Sequence, residues 1–478
     1  MKLRDLMKEY DIKNLPDIEI GKVTSDTRKI QKGDIFVAIK GTQVDGHDYI
    51  DEAIAKGASA IIADESYHLR EGIDIPIISS SNSRESLAKL SGLLWNNIPE
   101  TKLAVTGTNG KSSVAGFVAQ IMEMHQKPTL VLGTLGIYLN GKKLRDSLTT
   151  PDSVILHQTL EWAKTQGAEA VSLEASSHGL EQNRLDGLAF DVAAFTNLSR
   201  DHLDYHGNME DYLKAKCRLF EKLLKKQGCA VINSDDEAAK KILKIVQKRG
   251  ISAVTYGSNA TLRIQKITPQ PQGQEVTFDH MGENHHIFLP LIGRFQVENA
   301  ACSALMAMAA GIGTQAIDDL SQLKGITGRM EYIGQSPKGG SIYVDYAHTP
   351  DGLATALQHA RPHTRAHLNV VFGAGGDRDK GKRPLMGKAA YEHADKIYIT
   401  DDNPRGEDAA FIREQVASQA PNATNIAGRK QAIEQAIDEL DKDDILIVAG
   451  KGHESGQIVG SEVLAFNDGD VIREMIGK

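Results

Sequence analysis

Residues 101–122 read TKLAVTGTNGKSSVAGFVAQIM: a β-branched apolar run, a polar turn bounded by glycines, then apolar residues at helical spacing. A strand that ends in such a turn and feeds a helix gathers backbone N–H groups at the helix start, where negative charge is favoured. Gly107, Thr108, Asn109 and Gly110 make the turn, Lys111 can reach phosphate oxygens, and the Ser112 hydroxyl suits Mg2+, with Ser113 beside it. The turn is two residues shorter between its glycines than the general phosphate loop. A glycine-rich strand–helix turn with no ligand is the plainer alternative. The flanking elements favour phosphate, with ATP as its source.

The same alternation runs outward on both sides. DIFVAIKG, ASAIIADE and IPIISS read as strands before the loop, and SRESLAKLSGLLWNN as a helix behind a Ser cap. TLVLGTLG, AVSLEAS and VAAFTNLS follow it, then GSIYVDYAH, LNVVFGAGG, DKIYITDD and DILIVAGKG. Strands alternating with helices make an α/β protein with largely parallel sheets. A chain of 478 residues exceeds one core, so three domains are expected, 1–98, 99–331 and 332–478. The central one is a P-loop-type ATPase domain, flanked by a small N-terminal α/β domain and a C-terminal Rossmann-like α/β domain. In open α/β sheets ligands gather where strands end, and the polar, glycine-containing segments after the late strands mark such places.

Composition narrows the function. With 41% hydrophobic and 25% charged residues, the chain can bury ordinary cores and is not a disordered one. A formal charge of −8 and a pI near 6.1 argue against nucleic acid as the main partner, since neutralising phosphates needs a basic face. Cys217, Cys229 and Cys302 are unpatterned, which suggests neither disulfides nor a CxxC metal site and fits a reducing, cytoplasmic setting. No run approaches a membrane span, and MKLRDLMKEYDIKNL lacks the apolar stretch of a leader.

Charged and histidine-bearing segments supply the candidate chemistry. Glu174 closes an apolar strand beside the phosphate loop, where Mg2+ would find an oxygen ligand. Asp201, His202, Asp204 and His206 follow another strand. His202 and His206 have zinc-protease spacing, but Leu203 stands where that motif needs glutamate. Isolated Asp and His residues in loops are more often local caps. GAGGDRDKGKRP imitates a dinucleotide fingerprint, yet Arg378 replaces its third glycine, so an anion suits the cations Arg378, Lys380, Lys382 and Arg383 better than NAD does. TDDNPRGED, residues 400–408, sets Arg405 in a turn with two carboxylates before it and two after. A solvated pair with Asp402 or Glu407 is its plain reading.

In order, TGTNGKSS, LTTPDS, EASSHGLEQNR, NLSRDHLDYHG, GRMEY, VDYAHTPD, GAGGDRDKGKRPLM, DDNPR and AGKGHE resemble the Mur ligases, with the similarity beginning at SDTRKIQKGDIFVAIKG. The branch they most resemble joins meso-diaminopimelate to UDP-N-acetylmuramoyl-L-alanyl-D-glutamate, cleaving ATP to ADP and phosphate, in peptidoglycan precursor synthesis. The resemblance implies an acyl-phosphate intermediate and a catalytic set of Lys111, Glu174, His202 and Lys216. In it Ser112 and Glu174 hold one Mg2+, and His202 and Lys216, as a carbamate, serve a second. Lys214 is the alternative carbamate site. Asn299, Arg329 and Asp345 complete the ATP contacts, with His348 near them. Thr27 and Arg28 fall near the uridine end, and Thr149, Thr150, Ser176, Gln182 and Arg184 around the muramoyl dipeptide.

The same resemblance carries Arg378, Asp402, Asn403, Pro404, Arg405, Gly450 and Glu454 over as the diaminopimelate site. Arg405 would fork onto the distal carboxylate and Glu454 would face the distal ammonium. Lysine lacks that carboxylate, so a lysine-adding branch needs no such arginine. DNPR together with GKGHE speaks against a folylpolyglutamate synthase or another Mur step. The intact set of Lys111, Glu174, His202 and Lys216 disfavours an ATP-binding scaffold that lost its chemistry. A monomer is expected.

Overall fold

The computed structural model describes residues 2–6, 17–41, 44–65, 67 and 73–477. Residues 7–16, most of the MKLRDLMKEYDIKNL stretch, lie outside the described residues. The chain forms two compact units, Met1–Thr255 with Leu305–Gly313, and Tyr256–Ala304 with Thr314–Lys478.

In the first unit, Val23–Thr24, Ile35–Val37, Ala60–Asp64 and Ile77–Ser80 pair in chain order as a parallel sheet. Ile35, Val37, Ala60 and Ile62 feed one apolar cluster, and Phe36, Ala38, Ile61 and Ala63 another. Burial on both faces is why these strands read as unbroken apolar runs and do not alternate. The helix beyond them spans Ser83–Leu94, and its cap is Asn82, whose side chain accepts from the Glu85 amide at 3.1 Å. The expected Ser cap is therefore corrected: Ser83 is the first helical residue, and the asparagine before it has the acceptor an N-cap needs.

Seven neighbouring strands carry the phosphate loop, in the order Leu224–Asn233, Phe190–Phe195, Thr101–Thr106, Ala170–Glu174, Thr129–Gly133, Gly136–Leu139 and Lys142–Arg145. The first five run parallel and the last two turn back antiparallel. Thr101–Thr106 lies between two parallel neighbours, and Val105 stands opposite Glu174, so the loop after it emerges beside that carboxylate. The helix Lys111–Met124 buries Val114, Phe117, Val118 and Ile121, which fixes its start at the sheet edge.

In the second unit, Leu262–Gln270, Gly273–His280 and Glu283–Leu289 form an antiparallel meander. A six-stranded sheet runs Glu331–Gln335, Ser341–Asp345, Ile445–Ala449, Leu368–Phe372, Lys396–Ile399, Thr424–Asn425, antiparallel only at its first pair. Pro350–Ala360, Lys382–His393 and Ala409–Ala417 cover one face, Arg429–Asp438 and Asp468–Ile476 the other. Buried His363 ties the meander to the turn Arg361–His363. Its Nε2 accepts from the Gly293 amide at 2.9 Å, while Nδ1 donates to the Gln270 and Gly273 carbonyls at 2.8 and 3.0 Å. That bonding requires a neutral ring, and burial lowers its pKa accordingly. Among the described residues no helix is long and apolar enough to cross a membrane.

Candidate active site

The phosphate loop needs its glycines. Gly107 and Gly110 have φ of +153° and +86°, and a Cβ on Gly107 would lie 1.9 Å from Thr196 Oγ1. Gly110 caps the helix Lys111–Met124 without a side-chain bond, as suits a helix start that receives an anion. The Thr196–Ser199 segment of the next strand's loop braces it. Thr196 Oγ1 donates to the Asn109 carbonyl at 2.6 Å, Asn197 Oδ1 accepts from the Asn109 amide at 2.9 Å, and the Ser199 amide donates to Thr108 Oγ1 at 3.0 Å. Lys111 Nζ lies against the loop's own carbonyls, 3.0 Å from Gly107 O and 2.7 Å from Thr108 O.

Glu174 is 2% exposed, and its carboxylate accepts from the Thr134 amide at 2.9 Å and the Thr134 hydroxyl at 3.2 Å. Thr134 Oγ1 also meets Thr149 Oγ1 at 2.9 Å. Thr150 Oγ1 donates to the Glu174 carbonyl at 2.7 Å and accepts from the Ser176 amide at 3.0 Å. Arg184 donates to the Thr150 carbonyl and to Gln182 Oε1 at 2.7 and 2.8 Å. The structure thus joins Glu174, Thr149, Thr150, Ser176, Gln182 and Arg184 in one hydrogen-bond network. Among the described residues Thr27 and Arg28 share no bond with it. They sit beyond Val23–Thr24, where Asp26 grips the Arg28 guanidinium at 2.8 and 2.9 Å.

Lys216, on the helix Met209–Arg218, is 1% exposed. Its Nζ donates to Gly107 O at 2.7 Å and lies 4.2 Å from the Tyr212 ring centroid. Burial first, and the nearby Lys111 charge second, pull its pKa down to about 6. At neutral pH the amine is therefore mostly unprotonated, the form that reacts with CO2. Lys214 is exposed. His202 precedes the short helix Leu203–His206 with φ +52°, and its ring packs edge-on against His178 at 5.0 Å and Tyr212 at 6.2 Å. His206 is buried, 2.9 Å from both Ser177 Oγ and Glu181 Oε2, and its ring packs against the same His178 and Tyr212, at 5.4 and 5.1 Å.

Among the described residues no three His, Cys, Asp or Glu side chains gather as a metal set. Mg2+ keeps waters and nucleotide phosphates in its shell and takes one or two carboxylates from a protein. Glu174 beside the loop fits such a site, and a dedicated protein cage does not.

In the second unit Asn299, Arg329 and Asp345 are brought close together. Asn299 Nδ2 donates to Gln296 Oε1 at 3.1 Å, and Gln296 reaches the Arg329 carbonyl at 3.4 Å. The Arg329 guanidinium lies 5.1 Å from the Tyr346 ring centroid, and its buried Nε has no hydrogen-bond partner among the described residues. Asp345 accepts from the Met330 and Ala347 amides at 2.8 and 2.9 Å, with burial raising its pKa. His348 Nδ1 lies 2.9 Å from the Tyr346 carbonyl.

Every acid flanking Arg405 is engaged elsewhere. Asp401 pairs with Arg413, and Asp402 accepts from the Asn403 amide at 2.5 Å. Glu407 takes Arg383, and Asp408 caps the helix Ala409–Ala417. Among the described residues the Arg405 guanidinium donates only to the Gly376 and Asn403 carbonyls, at 2.9 and 3.5 Å, and no carboxylate pairs with it or with exposed Arg378. The plain reading as an ion pair is thereby corrected. Its φ is +52°, and its backbone bridges to Val459 of the hairpin strand Gly456–Val459.

Asn403 is spoken for within the protein. Its Oδ1 accepts from the Ile458 amide at 2.9 Å and from buried Lys451 at 3.2 Å, and its Nδ2 donates to Glu454 at 3.1 Å. Lys451 also reaches Glu454 at 3.2 Å, so that carboxylate has a cation from the chain itself. A Cβ on Gly450 would lie 3.1 Å from Asp402 Oδ2, and one on Gly376 would lie 1.9 Å from the Pro404 carbonyl. Sequence reasoning missed Thr134, His178 and Lys451; it gave Arg383 to an anionic ligand and Glu407 to Arg405, and the structure pairs these two with each other. Only Lys451, inside AGKGHE, and His178, inside SHGLE, carried any local signal.

A braced phosphate loop with a buried carboxylate and a buried lysine against it defines a class: nucleotide-dependent α/β enzymes that work through positioned charges. Three family models cover most of the chain: Mur ligase family, catalytic domain over 19–105, Mur ligase middle domain over 105–307, and Mur ligase, glutamate ligase domain over 328–452. The chain belongs to the Mur ligase family. It is 43% identical to the UDP-N-acetylmuramoyl-L-alanyl-D-glutamate--2,6-diaminopimelate ligase of Bradyrhizobium diazoefficiens, covering 99% of this chain and 98% of that one. The protein of the same name from Caulobacter vibrioides is 44% identical, with 96% of each covered. A solved ligase of that name superposes with a TM-score of 0.79 at 33% identity, covering 100% of this chain and 99% of its own. A Thermotoga maritima MurF ligase in complex with ADP, at 19% identity, shares the fold with a TM-score of 0.61 over 97% of this chain and 98% of its own.

Proposed function

We propose that the chain is an ATP-dependent acid–amino acid ligase that joins meso-2,6-diaminopimelate to UDP-N-acetylmuramoyl-L-alanyl-D-glutamate, a cytoplasmic step of peptidoglycan precursor synthesis. The observation that carries the reading is Arg405, a guanidinium surrounded by acids yet bonded to none of them. It is left for a carboxylate that the chain does not supply, and the distal carboxylate of diaminopimelate is one. Binding lysine there would leave the guanidinium unpaired, which disfavours lysine by several powers of ten.

The terminal phosphoryl group of ATP passes to the substrate carboxylate. The amino group of diaminopimelate then attacks the acyl carbon, a tetrahedral oxyanion forms, and phosphate leaves. Lys111 moves from its loop carbonyls to the phosphate oxygens, and the amides at the start of the helix Lys111–Met124 face the same charge. Ser112 and Glu174 would hold one Mg2+, and His202 and Lys216 as its carbamate would serve a second; when bound, the metal would offset charge on the transferring group. The carbamate forms as the neutral Lys216 amine adds to CO2 and releases a proton. Asn299, Arg329 and Asp345 take the rest of the nucleotide. Thr27, Thr149, Thr150, Ser176, Gln182 and Arg184 take the nucleotide sugar, and Arg378, Asp402, Asn403, Pro404, Arg405, Gly450 and Glu454 line the amino-acid site. Residues 1–98, 99–331 and 332–478 are the corresponding domains.

The test is phosphate release with ATP, Mg2+ and UDP-N-acetylmuramoyl-L-Ala-D-Glu, comparing meso-diaminopimelate with L-lysine. Release with diaminopimelate and not lysine is expected. Release with lysine would overturn the role of Arg405, and release with neither would overturn the reaction.

A further inference from the structure

Loops 373–381 and 400–408 come from different strands, yet one buried guanidinium holds both. Arg383 is fully buried; it donates to the two Glu407 oxygens at 3.0 and 2.8 Å, to Gln415 Oε1 at 2.7 Å and to the Gly375 carbonyl at 3.2 Å. Glu407 Oε1 accepts in turn from the Asp377 amide at 2.6 Å, and Asp377 Oδ2 from the Gly406 amide at 3.0 Å. The Gly376 amide donates to the Asn403 carbonyl at 2.9 Å. The arginines on these loops converge: a Cβ on Gly375 would lie 2.9 Å from Arg405 Nη1 and 4.0 Å from Arg378 Cγ.

We infer that Glu407, gripped by buried Arg383, is a specificity-determining positioning residue that sets the spacing of Arg378 and Arg405 for a carboxylate-bearing substrate. The inference rests on the proposed amino-acid site. Arg405 has little else to hold it, since its guanidinium bonds only main-chain carbonyls. Two guanidinium groups recognise a carboxylate by geometry, and a shift of about 1 Å can cost on the order of 100-fold. An ion pair with one buried partner adds little net stability compared with apolar packing, so its use here is to fix one arrangement of two loops. The arrangement needs a planar fork, which lysine in place of Arg383 could not supply.

The experiment uses the full-length enzyme and Glu407→Gln, which keeps shape and one acceptor but loses the charge. The KM for diaminopimelate is expected to rise about 30-fold while the KM values for ATP and the nucleotide sugar stay within about two-fold, and discrimination against lysine to fall about ten-fold. A purely structural role would lower the melting temperature and leave these ratios alone, and that result overturns the inference. Amide hydrogen exchange, which needs no substrate, reads the brace separately. Glu407→Gln should speed exchange at Asp377 and Gly406 together, and unchanged protection there also overturns it. Wild-type enzyme inactive with diaminopimelate, with the exchange change present, would count against the proposed reaction and leave the brace standing.

Discussion

Gly133→Ala is a one-methyl change aimed at Glu174 from behind. The Cβ would lie 2.0 Å from Glu174 Oε1 and 2.6 Å from its Cδ. Gly133 lies in the strand Thr129–Gly133 and is not among the glycines with positive φ, so backbone strain contributes nothing. An ordinary contact needs about 3.5 Å, so the carboxylate must retreat by more than an ångström in a site that is 2% exposed. It then gives up the Thr134 amide and hydroxyl bonds, each worth about 1.5–3 kcal/mol to a charged acceptor, and takes an off-rotamer pose costing about 1 kcal/mol. Partial relaxation leaves a stability loss of about 2–4 kcal/mol, and a catalytic group moved by an ångström loses about 100-fold in kcat. Urea unfolding and phosphate release measure the two. The decisive control is the same substitution in a Glu174→Ala background, where the clash is gone and the stability penalty should shrink to under about 1 kcal/mol. Activity within two-fold of wild type, or an undiminished penalty in the double variant, would refute the placement of Glu174.

Three further outcomes are expected. Below pH 6 Lys216 is an ammonium in both folded and unfolded chains, and the native state bears the full burial cost; between about 6 and 10.5 only the unfolded chain keeps the proton, so stability rises with pH by up to about 1.4 kcal/mol per unit. Lys216→Met should abolish that contribution in CO2-free buffer, and parallel pH–stability curves for the two proteins would contradict it. Wild-type enzyme stripped of CO2 should lose activity and regain part of it with bicarbonate, whereas Lys216→Ala should stay inactive; a fully active alanine variant would exclude the carbamate. Gly375→Ala presses on Arg405 Nη1 from 2.9 Å and should raise the KM for diaminopimelate about ten-fold with the KM for ATP unmoved, as steady-state kinetics would report.

Much of the fold was legible because parallel strands covered on both faces leave unbroken apolar runs, as in AVSLE and ILIVA. The meander was not. Leu262–Gln270 alternates exposed Arg263, Gln265 and Lys266 with buried Leu262 and Ile264 and contains Pro269, so no run stands out. Leu224–Asn233 hides its apolar end behind Lys225, Lys226 and Gln227. In the site, contiguous motifs such as TGTNGKSS were readable, whereas partners far apart in the chain were not. Thr134 meets Glu174 across 40 residues, and Arg383 meets Glu407 across 24. The false dinucleotide fingerprint has its own physical reason. Gly375 and Gly376 are bare because Arg405 and Pro404 pass over them, and no pyrophosphate is needed to explain their presence.

The Gly107 carbonyl accepts from both Lys111 and Lys216, at 3.0 and 2.7 Å. Lys111 is thus held within the loop, and to grip a phosphate it must exchange two carbonyls for phosphate oxygens. Each bond to a charged donor is worth about 1.5–3 kcal/mol, so the loop binds nucleotide more weakly than its charge alone would allow.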